Sequence, residues 1–270
     1  MDSLALIQVL TSFIAGGAFI AGLTLLAEKT TEKVSGIILM FPSTIVLGFF
    51  FLGWATSPQE VAEIVPATLV PLGLVVFSSA IYIYCAQTIS KIVQKKSLQV
   101  LITVLTSTII WLLLAIPFAL FRFSNLMLGI FGYISLTVLT HFLLNKNYNN
   151  ENTTKPTYTT LQKVYRATFM GGLIALIVIL GKTLGAFWGG VFTMFPAATF
   201  SALIFFHLHY PVKRLFRFMR KAPIGSVALA IYTIAVMLFF PQYGIIFGSI
   251  IAYMLSLLSS LLLIKLSSKS

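Results

Sequence analysis

Nine stretches of this chain are too apolar and too long to fold in water: about 4–27, 34–54, 64–88, 98–121, 124–144, 165–181, 184–206, 222–240 and 243–264. A run of roughly 18 apolar residues crosses a bilayer as a helix, and an α-helix pairs its own backbone groups where no water can. The chain is 59% hydrophobic and 9% charged, with a mean hydropathy of +1.00, so no stretch is left for a soluble domain. The expected fold is all-α, a polytopic membrane helix bundle of about nine transmembrane helices. The first apolar run follows Met1-Asp2-Ser3 without a basic segment or a small-residue cleavage site, so it reads as a retained helix rather than a signal peptide. The single cysteine, Cys85, lies within the third span, which removes disulfides and cysteine-based metal sites.

The net charge of +12 invites a nucleic-acid reading, but its distribution points elsewhere. If the nine spans alternate in direction, every Lys and Arg except Arg122 and Lys182 falls on one side. Basic residues accumulate in cytoplasmic loops, so the N-terminus is expected outside and the C-terminus inside a cell membrane. The densest patch, residues 212–221, alternates basic with apolar side chains (Lys213-Arg214-Leu215-Phe216-Arg217). That pattern suits a short helix at the headgroups, attracted by anionic lipid. No base-stacking module accompanies the charge, so nucleic acid is not an expected partner.

One phrase occurs twice. Gly16-Gly17, an apolar run, Glu28-Lys29-Thr30, Gly36 and Met40-Phe41-Pro42-Ser43-Thr44 are answered by Gly171-Gly172, an apolar run, Gly181-Lys182-Thr183, Gly190, Met194-Phe195-Pro196 and Thr199. Gly36 precedes Pro42 by the same interval as Gly190 precedes Pro196. Pro71-Leu72-Gly73 in span 3 is matched by Pro223-Ile224-Gly225 in span 8. The organisation reads as a first four-helix repeat (1–122), a linker helix and polar loop (123–160), and a second four-helix repeat (161–270). A four-span unit begins and ends on one side, so the extra span turns the second copy over. The result is a 4+1+4 inverted-topology repeat, an architecture shared by many transporters.

The stretch Ala27-Glu28-Lys29-Thr30, then Gly36 to Phe41-Pro42-Ser43-Thr44, resembles the first two helices of the GlpM-like small inner-membrane proteins, whose pattern is Ala-Lys-Thr, a polar gap, Gly, apolar residues and Phe-Pro-Thr. Two departures stand out: Glu28 precedes Lys29, and the second copy has Ala197 where the first has Ser43. The resemblance implies a tandem fusion of two small helical bundles in a cell inner membrane. It also implies a loose link to polysaccharide production.

Proline within a helix lacks an N–H and collides with the carbonyl four residues earlier. Pro42 should strand the Ile38 carbonyl and Pro196 the Phe192 carbonyl, and in hydrocarbon an unpaired carbonyl costs on the order of 2–7 kcal/mol. Phe41, Pro42, Ser43, Thr44, Thr193, Phe195, Pro196 and Thr199 are therefore the expected substrate-binding residues, a polar patch where two kinked helices meet at midplane. Gly185-x3-Gly189 and Gly244-x3-Gly248 have the spacing that lets helices approach closely.

Ionisable residues inside spans usually mark function, and here the acids sit at termini, helix ends or loops. Glu28 and Lys182, matched positions at the ends of spans 1 and 6, are candidate gating or coupling residues. His207 and His209 are two apart and face different sides of a helix, a poor metal pair. No catalytic constellation, metal site or cofactor motif appears, so an enzyme is not expected. The expected function is a transporter or channel for a small neutral or anionic solute, with the site between Pro-kinked helices 2 and 7. The alternative is a non-transporting membrane scaffold or accessory subunit of envelope polysaccharide assembly.

Overall fold

The computed structural model describes residues 3–29, 43–145 and 159–267, and every regular element among them is a helix. In chain order these are α1 (Ser3–Lys29), α2 (Ser43–Ala55), α3 (Pro58–Ile89), α4 (Lys96–Leu120), α5 (Leu126–Asn145), α6 (Thr160–Thr183), α7 (Ala186–Thr193), α8 (Ala197–His209), α9 (Val212–Met219) and α10 (Ala222–Ser267). Seven helical stretches among the described residues, α7 and α8 counting as one, are long and apolar enough to cross a membrane. Their outer faces carry exposed Leu, Ile and Phe, such as Leu113, Phe131 and Ile246, which in water would be an aggregation surface and in lipid is the solvated one. The chain is a multi-pass membrane protein.

Local signals start the helices. Ser57 caps α3, its hydroxyl accepting from the Glu60 N–H at 3.1 Å, with Pro58 in the first turn where its missing N–H does no harm. Thr159 and Gln162 form a reciprocal capping box at the start of α6. α10 is continuous in hydrogen bonding yet turns back on itself at Gly244, whose φ of 68° is left-handed. The Ser256 hydroxyl donates to the Ala228 carbonyl at 2.9 Å across that turn, and Gly248 lies against the Phe239 carbonyl. Residues 222–243 and 245–267 are thus antiparallel arms, and the turn at Gly244 falls at the second residue of the expected stretch 243–264, just past the expected gap. Of the two expected packing pairs, Gly189 and Gly248 do approach other backbone. Gly185 and Gly244 instead supply positive φ at a helix start and a turn.

α3 is the hub. It touches α2, α4, α5, α7, α8, α9 and α10, and 78% of its most apolar stretch is buried within the protein, against 17% for α5. α1 stands outside this ring and packs chiefly on α6. At the start of α1, Gln8 donates from Nε2 to the Trp54 carbonyl at the end of α2 (2.8 Å). Near the end of α6, Gly181 faces Leu52 and Thr56 of that same α2 end. α1 and α6 therefore run antiparallel. They meet through the glycines of the repeated phrase: a Cβ on Gly17 would lie 3.1 Å from the Ala167 carbonyl oxygen, and one on Gly171 2.6 Å from the Phe13 carbonyl oxygen. Each oxygen belongs to the residue four before the opposite glycine, so the contact is reciprocal.

The two ends of the bundle differ. One gathers the starts of α1, α3, α5 and α7, with Glu60, Glu63, Arg122 and Lys182. At the other, Tyr84 donates to the Leu143 carbonyl (3.0 Å) and Arg220 Nε to Asn145 Oδ1 (2.6 Å), tying α3, α5 and α9 together. The remaining described cations collect at this second end, including Lys91, Lys95, Lys96, Lys163, Lys213, Arg214 and Lys221. There α9 buries Leu215, Phe216 and Met219 among Tyr82, Ile83, Leu144 and Leu203. Its apolar face is spent on protein rather than on lipid tails, while Lys213 and Arg214 stay exposed.

Candidate functional site

The apolar stretch Ala186–His209, expected as the seventh span, is not one helix. α7 ends at Thr193, α8 begins at Ala197, and Met194-Phe195-Pro196 turn between them, with Pro196 at φ −75° and ψ 41°. This corrects the expectation of a kink with an orphaned carbonyl. The Phe195 N–H donates to the Phe192 carbonyl (3.0 Å), the Met194 N–H to Val191 (3.0 Å) and the Ala197 N–H to Phe195 (2.7 Å). Two three-residue bonds followed by a two-residue one satisfy what a proline in a continuous helix would strand. α8 restarts when the Phe200 N–H reaches the Pro196 carbonyl at 2.8 Å. The eight residues of α7 rise about 12 Å, so the break lies about that far from the start of the apolar stretch Ala186–His209.

The expected site residues divide. Pro196 is buried in the break, Phe195 and Thr199 are half-buried beside it, and Thr193 is buried one turn above. The Thr193 hydroxyl donates to the Gly189 carbonyl (2.9 Å), and its methyl would be 2.6 Å from a Cβ on Gly48 of α2. Thr44 is buried one turn before Gly48, and α2 packs on α7. Phe41 and Pro42 lie outside the described residues, as do the side chains of Ser43 and Glu28. Lys182 is half-buried in the last turn of α6, the length of α7 away from the break. The structure does not bring it into this site.

The sequence analysis places a span over α4 but does not single out its buried polar residues. Gln99, Thr103, Ser107 and Trp111 recur every four residues and are all buried, along the helix that packs on α7 and α8. Trp111 lays its indole edge-on against Phe195 (5.2 Å between ring centres) and Phe192 (6.0 Å), closing the break with aromatic walls. Its Nε1 has no hydrogen-bond partner, and neither does the Ser107 hydroxyl one turn away. Ring contacts continue from Phe195 to Phe200 (6.1 Å), Tyr82 (6.1 Å) and His207 (5.8 Å). The Tyr82 hydroxyl and His207 Nδ1 share a hydrogen bond of 3.1 Å, with His207 buried and His209 exposed, as their spacing requires.

Toward the end that holds Glu60, Glu63, Arg122 and Lys182 a cavity of about 360 Å³ opens between α3, α4 and α7, lined by Glu60, Glu63, Ala119, Arg122, Gly185 and Trp188 among others. Toward the basic end the aromatic chain and α9 fill the space. The wall at the break thus offers an indole N–H, a hydroxyl and aromatic faces. No protein-family model, curated protein or solved structure matches the chain.

Proposed function

We propose that the protein is a transporter or channel for a small neutral or anionic solute, held where the seventh span breaks at Met194-Phe195-Pro196. The observation that carries this reading is the break itself, buried against α2 and α4 and lying on one copy of a phrase that occurs twice. Discontinuous helices at midplane are how many transporters present polar groups inside lipid. In this reading nine spans form a 4+1+4 inverted repeat of two GlpM-like units, with the N-terminus outside and the C-terminus in the cytoplasm. The antiparallel, reciprocal contact of Gly17 with Gly171 favours it, because a two-fold axis in the membrane plane generates that geometry. The exposed Lys213 and Arg214 of α9 face anionic lipid headgroups. The protein performs no catalysis and needs no cofactor.

The test is flux into proteoliposomes holding the full chain, with a panel of small solutes and protein-free vesicles as reference. The expected result is saturable uptake that Pro196→Ala lowers about tenfold, equivalent to about 1.4 kcal/mol, without lowering insertion. A panel in which nothing moves faster than through protein-free vesicles ends the reading.

A further inference from the structure

The break is flanked by two buried polar atoms with nothing to bond, and they say what the solute is like. In this protein buried hydroxyls on helices close back onto their own backbone: Thr68 on Val65, Ser78 on Val75, Ser79 on Val76, Thr103 on Gln99, Thr140 on Leu136 and Thr193 on Gly189. Ser107 could do the same and does not. Three other hydroxyls on the described helices lack a close partner, Thr137, Ser249 and Tyr232; Thr137 and Ser249 lie beside the tyrosine hydroxyls of Tyr133 and Tyr232, so each of them has a polar neighbour that Ser107 lacks. The Trp111 N–H has no such escape, since an indole is a donor with no route to its own helix carbonyls. Ser107 and Trp111 are 0% and 1% exposed, stand one helical turn apart, and share the face of α4 that meets Phe192 and Phe195. Buried polar groups are nearly always paired, so an unpaired couple at a helix break marks a place where a ligand supplies the partner.

We propose, resting on the transport reading above, that Ser107 and Trp111 of α4 hold a small uncharged solute bearing a carbonyl or hydroxyl oxygen beside an apolar body. The oxygen accepts from Trp111 Nε1 and exchanges a hydrogen bond with Ser107 Oγ, and the apolar part lies against the rings of Phe192 and Phe195. The described Lys and Arg residues stand at the two ends of the bundle rather than on this wall, so an anion would enter without a counter-charge. This narrows the neutral-or-anionic class to its neutral half.

The test uses the full chain in proteoliposomes with Trp54→Phe and Trp188→Phe, which leave Trp111 as the reporter. N-methylacetamide, uncharged, and methanesulfonate, a permanent anion of similar size, are the probes. N-methylacetamide is expected to change Trp111 emission saturably, and methanesulfonate is not. Ser107→Val should raise the half-saturating concentration about fivefold, the loss of one uncharged hydrogen bond, whereas Thr103→Val should leave it in place. Uptake of N-methylacetamide by the chain with all its tryptophans, against Ser107→Val, gives a second measurement free of the tryptophan substitutions. An equal response to the anion, no response to the amide, or a half-saturation indifferent to Ser107→Val overturns the proposal. An emission response without uptake upholds this site and removes transport. Uptake that ignores Ser107→Val upholds transport and removes this site.

Discussion

The hub helix α3 and the broken segment α7–α8 are both apolar, both buried, both carry proline, and they touch. Pro66 and Pro71 sit inside an unbroken α3 and Pro117 in the last turn of an unbroken α4, while Pro241 precedes the Gly244 turn of α10 by three residues. Pro196 ends one helix and begins another. α3 is held on all sides by seven neighbours, and Thr68, Ser78 and Ser79 close on its own carbonyls at 2.6–2.7 Å. α7 has eight residues, with Gly189-Gly190 at its middle, so little helix resists the turn. Proline is therefore not what marks a site in this protein. A break faced by polar atoms without partners does.

The sharpest way to break the comparison is at the point of contact. Gly190 of α7 abuts Ile64 and Thr68 of α3 so closely that a Cβ there already collides with the Ile64 Cδ1. Gly190→Leu should drive the two apart and cost about 3 kcal/mol or more, since an overpacked core has no room to yield. A thermal melt of the purified variant reads this directly, and a midpoint near that of the native chain would mean the two segments are not rigidly joined. Two neighbouring glycines on α6 make a smaller, internally controlled test. A Cβ on Gly171 would meet the Phe13 carbonyl oxygen at 2.6 Å, while one on Gly172 meets nothing within 4 Å. Gly171→Ala should destabilise by about 1–3 kcal/mol, and Gly172→Ala should stabilise by up to about 1 kcal/mol through helix propensity. Equal shifts for the two would remove the α1–α6 crossing on which the antiparallel reading rests.

The membrane bundle was legible because length and hydropathy suffice to name a spanning helix. The stretch 186–209 was legible as special only because its Phe-Pro motif is repeated; Pro66, Pro71 and Pro117 are equally visible as letters and lie in continuous helix. What the motif could not convey is the outcome at Pro196, where three-residue bonds end a helix instead of bending it. Ser107 and Trp111 escaped notice for a physical reason. Inside a bilayer the protein interior and the lipid are both apolar, so periodicity does not say which face of α4 turns inward. The signal present was the four-residue spacing of Gln99, Thr103, Ser107 and Trp111. Gly244 was likewise misread as a packing residue, because a glycine needed for positive φ and one needed for close approach look alike in sequence.

Tyr82 supplies a polar bond from α3 to α8, so removing its hydroxyl separates the hub from the broken segment without changing shape. His207 Nε2 is already buried without a partner, and Tyr82→Phe would leave Nδ1 in the same condition. The expected loss is about 1–2 kcal/mol, from a buried acceptor or donor left unpaired. A melt unchanged within error would show that the ring contacts alone hold α8 in place.

The smallest effect is also the one that separates a structural hydroxyl from a binding one. Thr68 on the hub and Ser107 beside the break are both fully buried, one bonded to Val65 and the other to nothing. Thr68→Val removes a satisfied hydroxyl and should cost about 0.5–1.5 kcal/mol. Ser107→Ala removes an unsatisfied one, and the same reasoning reverses its sign: the chain should be unchanged or more stable by up to about 1 kcal/mol. A stable Ser107→Ala variant with weakened solute response would mean that this hydroxyl is kept for the ligand at the fold's expense. If Ser107→Ala instead destabilises as much as Thr68→Val, the hydroxyl has a partner within the bundle, and the hub and the break then stand on the same footing.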